Sequence, residues 1–147
     1  MAIFVGGTEK SFGKVGQVVQ NLVTDGNANT TSSTFQDTNI DVTITPSATS
    51  SKVYLIFDLS CGIATANKTC EVAIYNGSTQ LMKRAGMYIN YASHNVANTT
   101  TCFLHSPSTS NAITYTLKFA CNQNDATVYV YAESSNPARV TAMEVLA

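Results

Sequence analysis

The amino-acid sequence predicts an all-β protein, an antiparallel two-sheet β-sandwich of jelly-roll topology with little or no helix. Three observations carry that expectation. Apolar residues recur with a period of two along several segments, turn-forming residues separate those segments at short intervals, and no segment keeps a helical period over three turns. Composition points the same way. Only 12% of the 147 residues are charged, and Ser, Thr and Asn make up about a third of the chain. Such residues suit strand faces and turns, and are poor material for solvent-exposed helices.

Taken in order, the first candidate strand is 15–23, and 40–44 is the second. Val53, Leu55, Phe57, Leu59 and Cys61 then alternate, with Tyr54 and Ile56 making the opposite face partly apolar as well. Cys70, Val72 and Ile74 oppose Glu71, Ala73 and Tyr75. Asn76-Gly77 followed by 79–82 predicts a tight hairpin, because both residues tolerate the positive φ of a type I′ turn. Any helix is confined to a turn or two within 83–88. Segment 100–105 is a further strand candidate. Ile113, Tyr115, Leu117, Phe119 and Cys121 alternate with Thr114, Thr116 and Lys118, which is the clearest half-buried strand of the chain. Val128 and Val130 oppose Tyr129 and Tyr131, and 139–146 closes the set. Asp25-Gly26-Asn27, Pro46-Ser47, Ser106-Pro107, 122–125 and Asn136-Pro137 punctuate the runs. Segment 24–36 is polar with few apolar anchors, and reads as a surface loop or an arm ordered by a partner. About eight short strands with turns between them fit a two-sheet jelly roll.

Length fits a single domain that can bury a real core, divided into 1–12, an N-terminal arm or first strand, and 13–147, one sandwich. A net charge of −1, a pI near 6.0 and the lack of any Lys/Arg run exclude the electrostatic signature of nucleic-acid binding. No apolar run is long enough to span a bilayer as a helix, and MAIFVGGTEK lacks the pattern of a signal peptide. Synthesis in a host cytoplasm is therefore expected. Cys61, Cys70, Cys102 and Cys121 show no CxxC spacing. Buried free thiols, acting as small hydrophobes, are favoured over disulfides.

Chemistry finds little support. None of the nine acids pairs convincingly with another as a glycosidase would require. His94 and His105 are eleven residues apart, without metal-pair spacing. Cys102 and His105 are three apart and would point to opposite faces of a strand, which argues against a nucleophile–base pair. The expectation is a protein that is not an enzyme, with no cofactor and no metal. Tyr129 and Tyr131 face solvent or a neighbouring subunit if Val128 and Val130 face the core. Glu144 shares its alternation with Val140, Ala142 and Leu146, which look inward. A charge there needs Arg139, Lys83, Arg84 or a symmetry mate, or else lies on an edge strand that lets it reach water.

Three segments, GKVGQVVQNLVTD at 13–25, TSSTFQDTNIDVTITPSATSSKVYLIFDLSCG at 31–62 and ARVTAMEVLA at 138–147, occur in an order that resembles a widespread group of virion structural domains of bacteriophages and marine viruses. The resemblance covers most of the chain, and its motifs encode strands and turns rather than chemistry. It implies a β-sandwich of jelly-roll or C1q-like character, a homotrimer about a threefold axis, and a place on the outer surface of the virion. Members serve as tail-fibre tips or as small proteins decorating heads. This chain starts at Met1 with fewer than fifteen residues before the first motif and no preceding shaft. A capsid decoration (cement) protein is therefore expected, with a tail-fibre or tail-tip host-adhesion subunit as the alternative. The expected partners are further copies of itself and the major capsid protein, or alternatively a host surface receptor, with no nucleic acid and no membrane. Ile3, Phe4, Val5 and Phe12 would anchor the arm, and Tyr129, Tyr131 and Glu144 are the other candidate contacts.

Overall fold

The computed structural model describes residues 3–5, 8–10, 13–89, 95–123 and 125–146. Its strands are β1 (Ile3–Val5), β2 (Thr8–Lys10), β3 (Val15–Asp25), β4 (Ala28–Thr30), β5 (Gln36–Ile44) and β6 (Lys52–Ile63). They continue with β7 (Lys68–Asn76), β8 (Thr79–Ile89), β9 (Asn95–His105), β10 (Ile113–Cys121), β11 (Val128–Tyr131) and β12 (Glu133–Val145). β1 and β2 pair with each other in a two-stranded sheet of their own.

Two pairs of consecutive elements are broken halves of single strands. β3 pairs with β12 and β4 with β11, and one antiparallel register runs through Asp25 opposite Glu133 and Ala28 opposite Val130. The break falls at Gly26 and Asn27, where Gly26 N donates to Ala132 O at 2.8 Å and Asn27 Oδ1 accepts from Ala132 N at 2.8 Å. A side-chain amide thus replaces one rung of the ladder. An added Cβ on Gly26 would lie 2.9 Å from Val23 Cγ1 and 3.1 Å from the Ala132 Cβ, so this close approach needs a glycine.

With those halves joined, eight strands follow one another along the chain. The first, eighth, third and sixth form one sheet, as β3/β4, β12/β11, β6 and β9. The second, seventh, fourth and fifth form the other, as β5, β10, β7 and β8. This interleaving is the jelly roll, an architecture found in viral capsid and lectin domains and in cupins.

The core lies between the sheets. Val53, Leu55, Phe57, Leu59 and Cys61 of β6 face Ile113, Tyr115, Leu117, Phe119 and Cys121 of β10, all buried. Burying each large apolar side chain stabilises the fold by about 1.5–3 kcal/mol. Tyr115 is fully buried and keeps its hydroxyl satisfied by His105 Nδ1 at 2.9 Å. Burial pushes the Tyr115 phenol up to about 12 and lowers His105.

Several expectations change in detail. Segment 83–88 lies within β8 and is strand throughout. Segment 24–36 is more than a loop, since it contains β4. The hairpin after β7 is tight, but its loop is Gly77-Ser78, with Gly77 at φ +57 and Ser78 not at positive φ. Glycine at the first loop position is the II′ pattern rather than I′. Asn136-Pro137 does not separate strands. It sits in a bulge of β12, where 132–138 stand opposite Leu59 alone between the pairs Tyr131–Ser60 and Arg139–Asp58. All four cysteines are free, as expected, and Cys61, Cys70 and Cys121 are buried, whereas Cys102 is exposed on β9. The neighbouring Cys61 thiol, followed by burial, pushes the Cys70 thiol up, which keeps it protonated.

Candidate docking surface

The outer faces of the two sheets differ in chemistry. On the β5-β10-β7-β8 sheet, Lys118 pairs with Asp37 at 2.8 Å and lies 4.8 Å from the Tyr75 ring centroid. Lys83 pairs with Glu71 at 2.9 Å and lies 5.7 Å from the Phe35 centroid, and the Thr43 and Thr114 hydroxyls meet at 2.7 Å. This face resembles an ordinary solvated surface.

The opposite sheet carries an apolar row across all four strands at one end. Register puts Val18 of β3 opposite Met143 of β12, Met143 opposite Tyr54 of β6, and Tyr54 opposite Leu104 of β9. Val15 and Val145, paired with each other, extend the row toward the end of the sandwich. Val15, Val18 and Leu104 are 59%, 57% and 47% exposed, which is unusual for three large apolar side chains on one patch. Between Val15, Tyr54, Leu104, Met143, Val145 and Gly13 lies a shallow groove of about 320 Å³. Gly13 packs against the end of β12, where an added Cβ would stand 2.4 Å from Leu146 O. The N-terminal segment therefore joins the sandwich at the wall of this groove.

Glu144 lies beneath the same end, facing inward from a strand flanked on both sides by β3 and β6. It is 1% exposed on an inner strand, and no ion pair to it forms among the described residues, so the edge-strand reading is corrected and so are Arg139, Lys83 and Arg84 as its partners. Its Oε1 accepts from Ser47 N and Ser47 Oγ, each at 2.6 Å, and Oε2 accepts from Gln17 Nε2 at 2.9 Å. Gln17 Nε2 also donates to Thr45 O at 2.6 Å. The Ser51 hydroxyl, buried without a partner of full hydrogen-bond geometry, lies beside the carboxylate and adds to its stabilisation. The hydrogen bonds from Ser47 and Gln17 hold the carboxyl down at about 2. Desolvation acts in the opposite direction and is the smallest of the effects on this carboxyl. Glu144 thus ties the turn between β5 and β6 to β12 and β3, and holds the end of the molecule in shape beneath the apolar row.

Tyr129 and Tyr131 lie at the other end of this sheet. They project outward from β11 while Val128 and Val130 face the core, and their rings stack with centroids 5.9 Å apart at 12°. Ile3, Phe4 and Val5 fall in β1, and Phe12 lies outside the described residues, as do Tyr91 and His94. Cys102 and His105 point to opposite faces of β9: the thiol is exposed beside Tyr54, and the imidazole is turned toward Tyr115. The structure brings the two tyrosines together and keeps them far from Glu144, on the other side of the sheet. Val15, Val18, Leu104, Met143 and Val145 were not singled out from the sequence. The partly apolar second face of 53–61 was the one available signal for them.

No family model matches the chain, and no curated protein matches it. Among solved structures it is similar to the infectious bursal disease virus VP2 subviral particle, at 11% identity and a TM-score of 0.46, covering 89% of this chain and 37% of that one. It is also similar to the T13 particle of that virus, at 10% identity and a TM-score of 0.48, covering 97% of this chain and 39% of that one. The Gx strain structure gives 11% identity and a TM-score of 0.47, with 95% and 39% covered. The chain spans about two fifths of the length of the structures it matches.

Proposed function

We propose that this protein is a non-enzymatic structural subunit on the outside of a bacteriophage particle, a trimeric decoration or cement protein that docks on the head shell at threefold positions. The observation that carries the reading is the exposed apolar row Val18–Met143–Tyr54–Leu104, set beside the point where the N-terminal segment joins. An adhesive subunit needs such a patch, and a lone soluble domain would be better without it. The sequence resemblance of 13–25, 31–62 and 138–147 to virion domains supports the setting, and the neutral, Ser/Thr/Asn-rich remainder suits an outer coat. Threefold repetition would make weak single contacts strong by avidity.

The test is mass determination in solution, followed by mixing with capsids stripped of accessory subunits. A trimer that rebinds in a stoichiometry dictated by the lattice supports the reading. Removing residues 2–12 should leave trimers intact and abolish rebinding, whereas unchanged rebinding would remove the arm from the docking surface. A trimer that ignores capsids and adheres to host cells favours the tail-tip alternative, to which the aromatic pair at the far end of the sheet lends support.

A further inference from the structure

β6 and β7 belong to opposite sheets and are joined by the turn 64–67, so the chain arches over one end of the core there. Cys61 lies two residues before the end of β6, and Cys70 two residues after the start of β7. Both side chains face inward and are fully buried, so the two thiols stand at equal depth on either side of the core. Cα atoms of the two strands come within 8 Å of each other. The Cys70 thiol reaches across toward Tyr129 O, at 3.9 Å, on the strand that pairs with β6 beside Cys61. The Cys61 sulfur comes the other way. It fills the space at Gly86, where β8 bulges opposite Cys70. An added Cβ on Gly86 would stand 3.2 Å from Cys61 Sγ and 3.3 Å from Cys70 O.

A third buried thiol, Cys121, stands beside Cys70 in register on β10. It is the poorer partner. Side chains directly opposite on one sheet face point the same way, with Cβ atoms about 4.5–5.5 Å apart. A disulfide needs converging bonds and Cβ atoms about 3.5–4.5 Å apart, which favours two residues that face each other across the core. We propose that Cys61 and Cys70 are a latent redox pair, which closes into a disulfide stapling the two sheets when the protein passes from a reducing to an oxidising medium. The oxidant is a low-molecular-weight disulfide. A Cys61 thiolate attacks one of its sulfurs and releases the first small thiolate; the Cys70 thiolate then attacks the Cys61 sulfur and displaces the second. Two protein thiols are oxidised, one small disulfide is reduced to two thiols, and the two protein protons pass to them. Burial makes the exchange wait on local opening, and both cysteines lie close to strand ends, where opening costs least. The inference does not depend on what the apolar end contacts.

The test uses the full chain carrying Cys102→Ser, which removes the exposed thiol and its intermolecular chemistry. The reduced protein is held with oxidised glutathione just below its melting midpoint, then denatured, alkylated and digested with trypsin. Cleavage after Lys68, Lys83, Lys118 and Arg139 puts Cys61, Cys70 and Cys121 on separate peptides. Peptide 53–68 should be found joined to 69–83, with the mass of the intact chain lower by two hydrogens. Closing so short a loop should raise the melting temperature by roughly 5–10 °C, and dithiothreitol should reverse the rise. Cys61→Ala should lose both the cross-link and the rise, whereas Cys121→Ala should keep both. The peptide map with Cys61, Cys70 and Cys121 all in place decides the matter even if Cys61→Ala does not fold. Separate alkylation of Cys61 and Cys70 after prolonged oxidation overturns the inference, as does peptide 69–83 joined to 119–139 instead.

Discussion

At Glu144 a carboxylate is withdrawn from water, with neutral donors as its partners among the described residues, so its contribution to stability depends on its remaining ionised. Its folded pKa of about 2 lies below the ordinary 4.5, so that contribution is complete above about pH 4.5 and is lost as the pH falls toward 2. Glu144→Gln should therefore melt below the parent protein at neutral pH, because an amide NH₂ would face donors at Ser47 or Gln17. The gap should close between about pH 4.5 and 2. Thermal melts across that range check it, and a gap independent of pH would remove ionisation from the account. His105 adds a slope of its own. Burial lowers its pKa below the ordinary 6.5, so protonation below that value favours the unfolded chain.

Strands are where the sequence was most legible. Two-residue alternation along 53–61 and 113–121 was enough to assign inner and outer faces, because one face of each strand must be dry. It failed where tertiary contacts override local pattern. Lys83, Arg84 and Gly86 interrupt the apolar alternation of β8, which is a strand because its backbone pairs with β7. The break at Gly26-Asn27 reads as a turn, but is a patched strand whose missing rung comes from the Asn27 side chain. Asn27→Ala should leave Ala132 N unpaired and cost about 1 kcal/mol, in keeping with a single buried hydrogen bond. Urea unfolding measures it; a cost near zero would mean that water replaces the amide. The small polar cleft among Asp58, Asn98 and Asn136 on the outer face of the same sheet was illegible for a related reason, since those residues come from three strands and meet only through the bulge at 132–138.

For the molecule as a whole, the sheet order and the asymmetry of the two outer faces follow from which strands become neighbours, and periodicity is silent on that. Val18, Met143, Tyr54 and Leu104 form a patch only once β3, β12, β6 and β9 are laid side by side. If this patch docks on a shell, Val18→Glu combined with Leu104→Glu should reduce capsid binding at least tenfold, since both carboxylates would lose hydration at the contact. Stability should change by less than about 0.5 kcal/mol for each exposed site. Binding by the parent protein should be nearly insensitive to salt, because the patch is apolar rather than charged. Co-sedimentation with stripped capsids at low and high ionic strength reads both effects; steep loss with salt would shift the contact to the charged face.

Leu146 N donates to Lys14 O at 2.8 Å, so the two ends of the sandwich lie side by side at the apolar end. The turn at 64–67, with Asn67 at φ +60, lies at the opposite end of β6. For engineering, this geometry separates two uses of the same scaffold. A cargo joined directly before 13 or after 146 is delivered toward whatever the apolar row touches, while a peptide spliced into 64–67 is held away from it. A circular permutant that links 146 to 13 and opens at 66 would reverse the two, carrying its new termini outward as free handles for display.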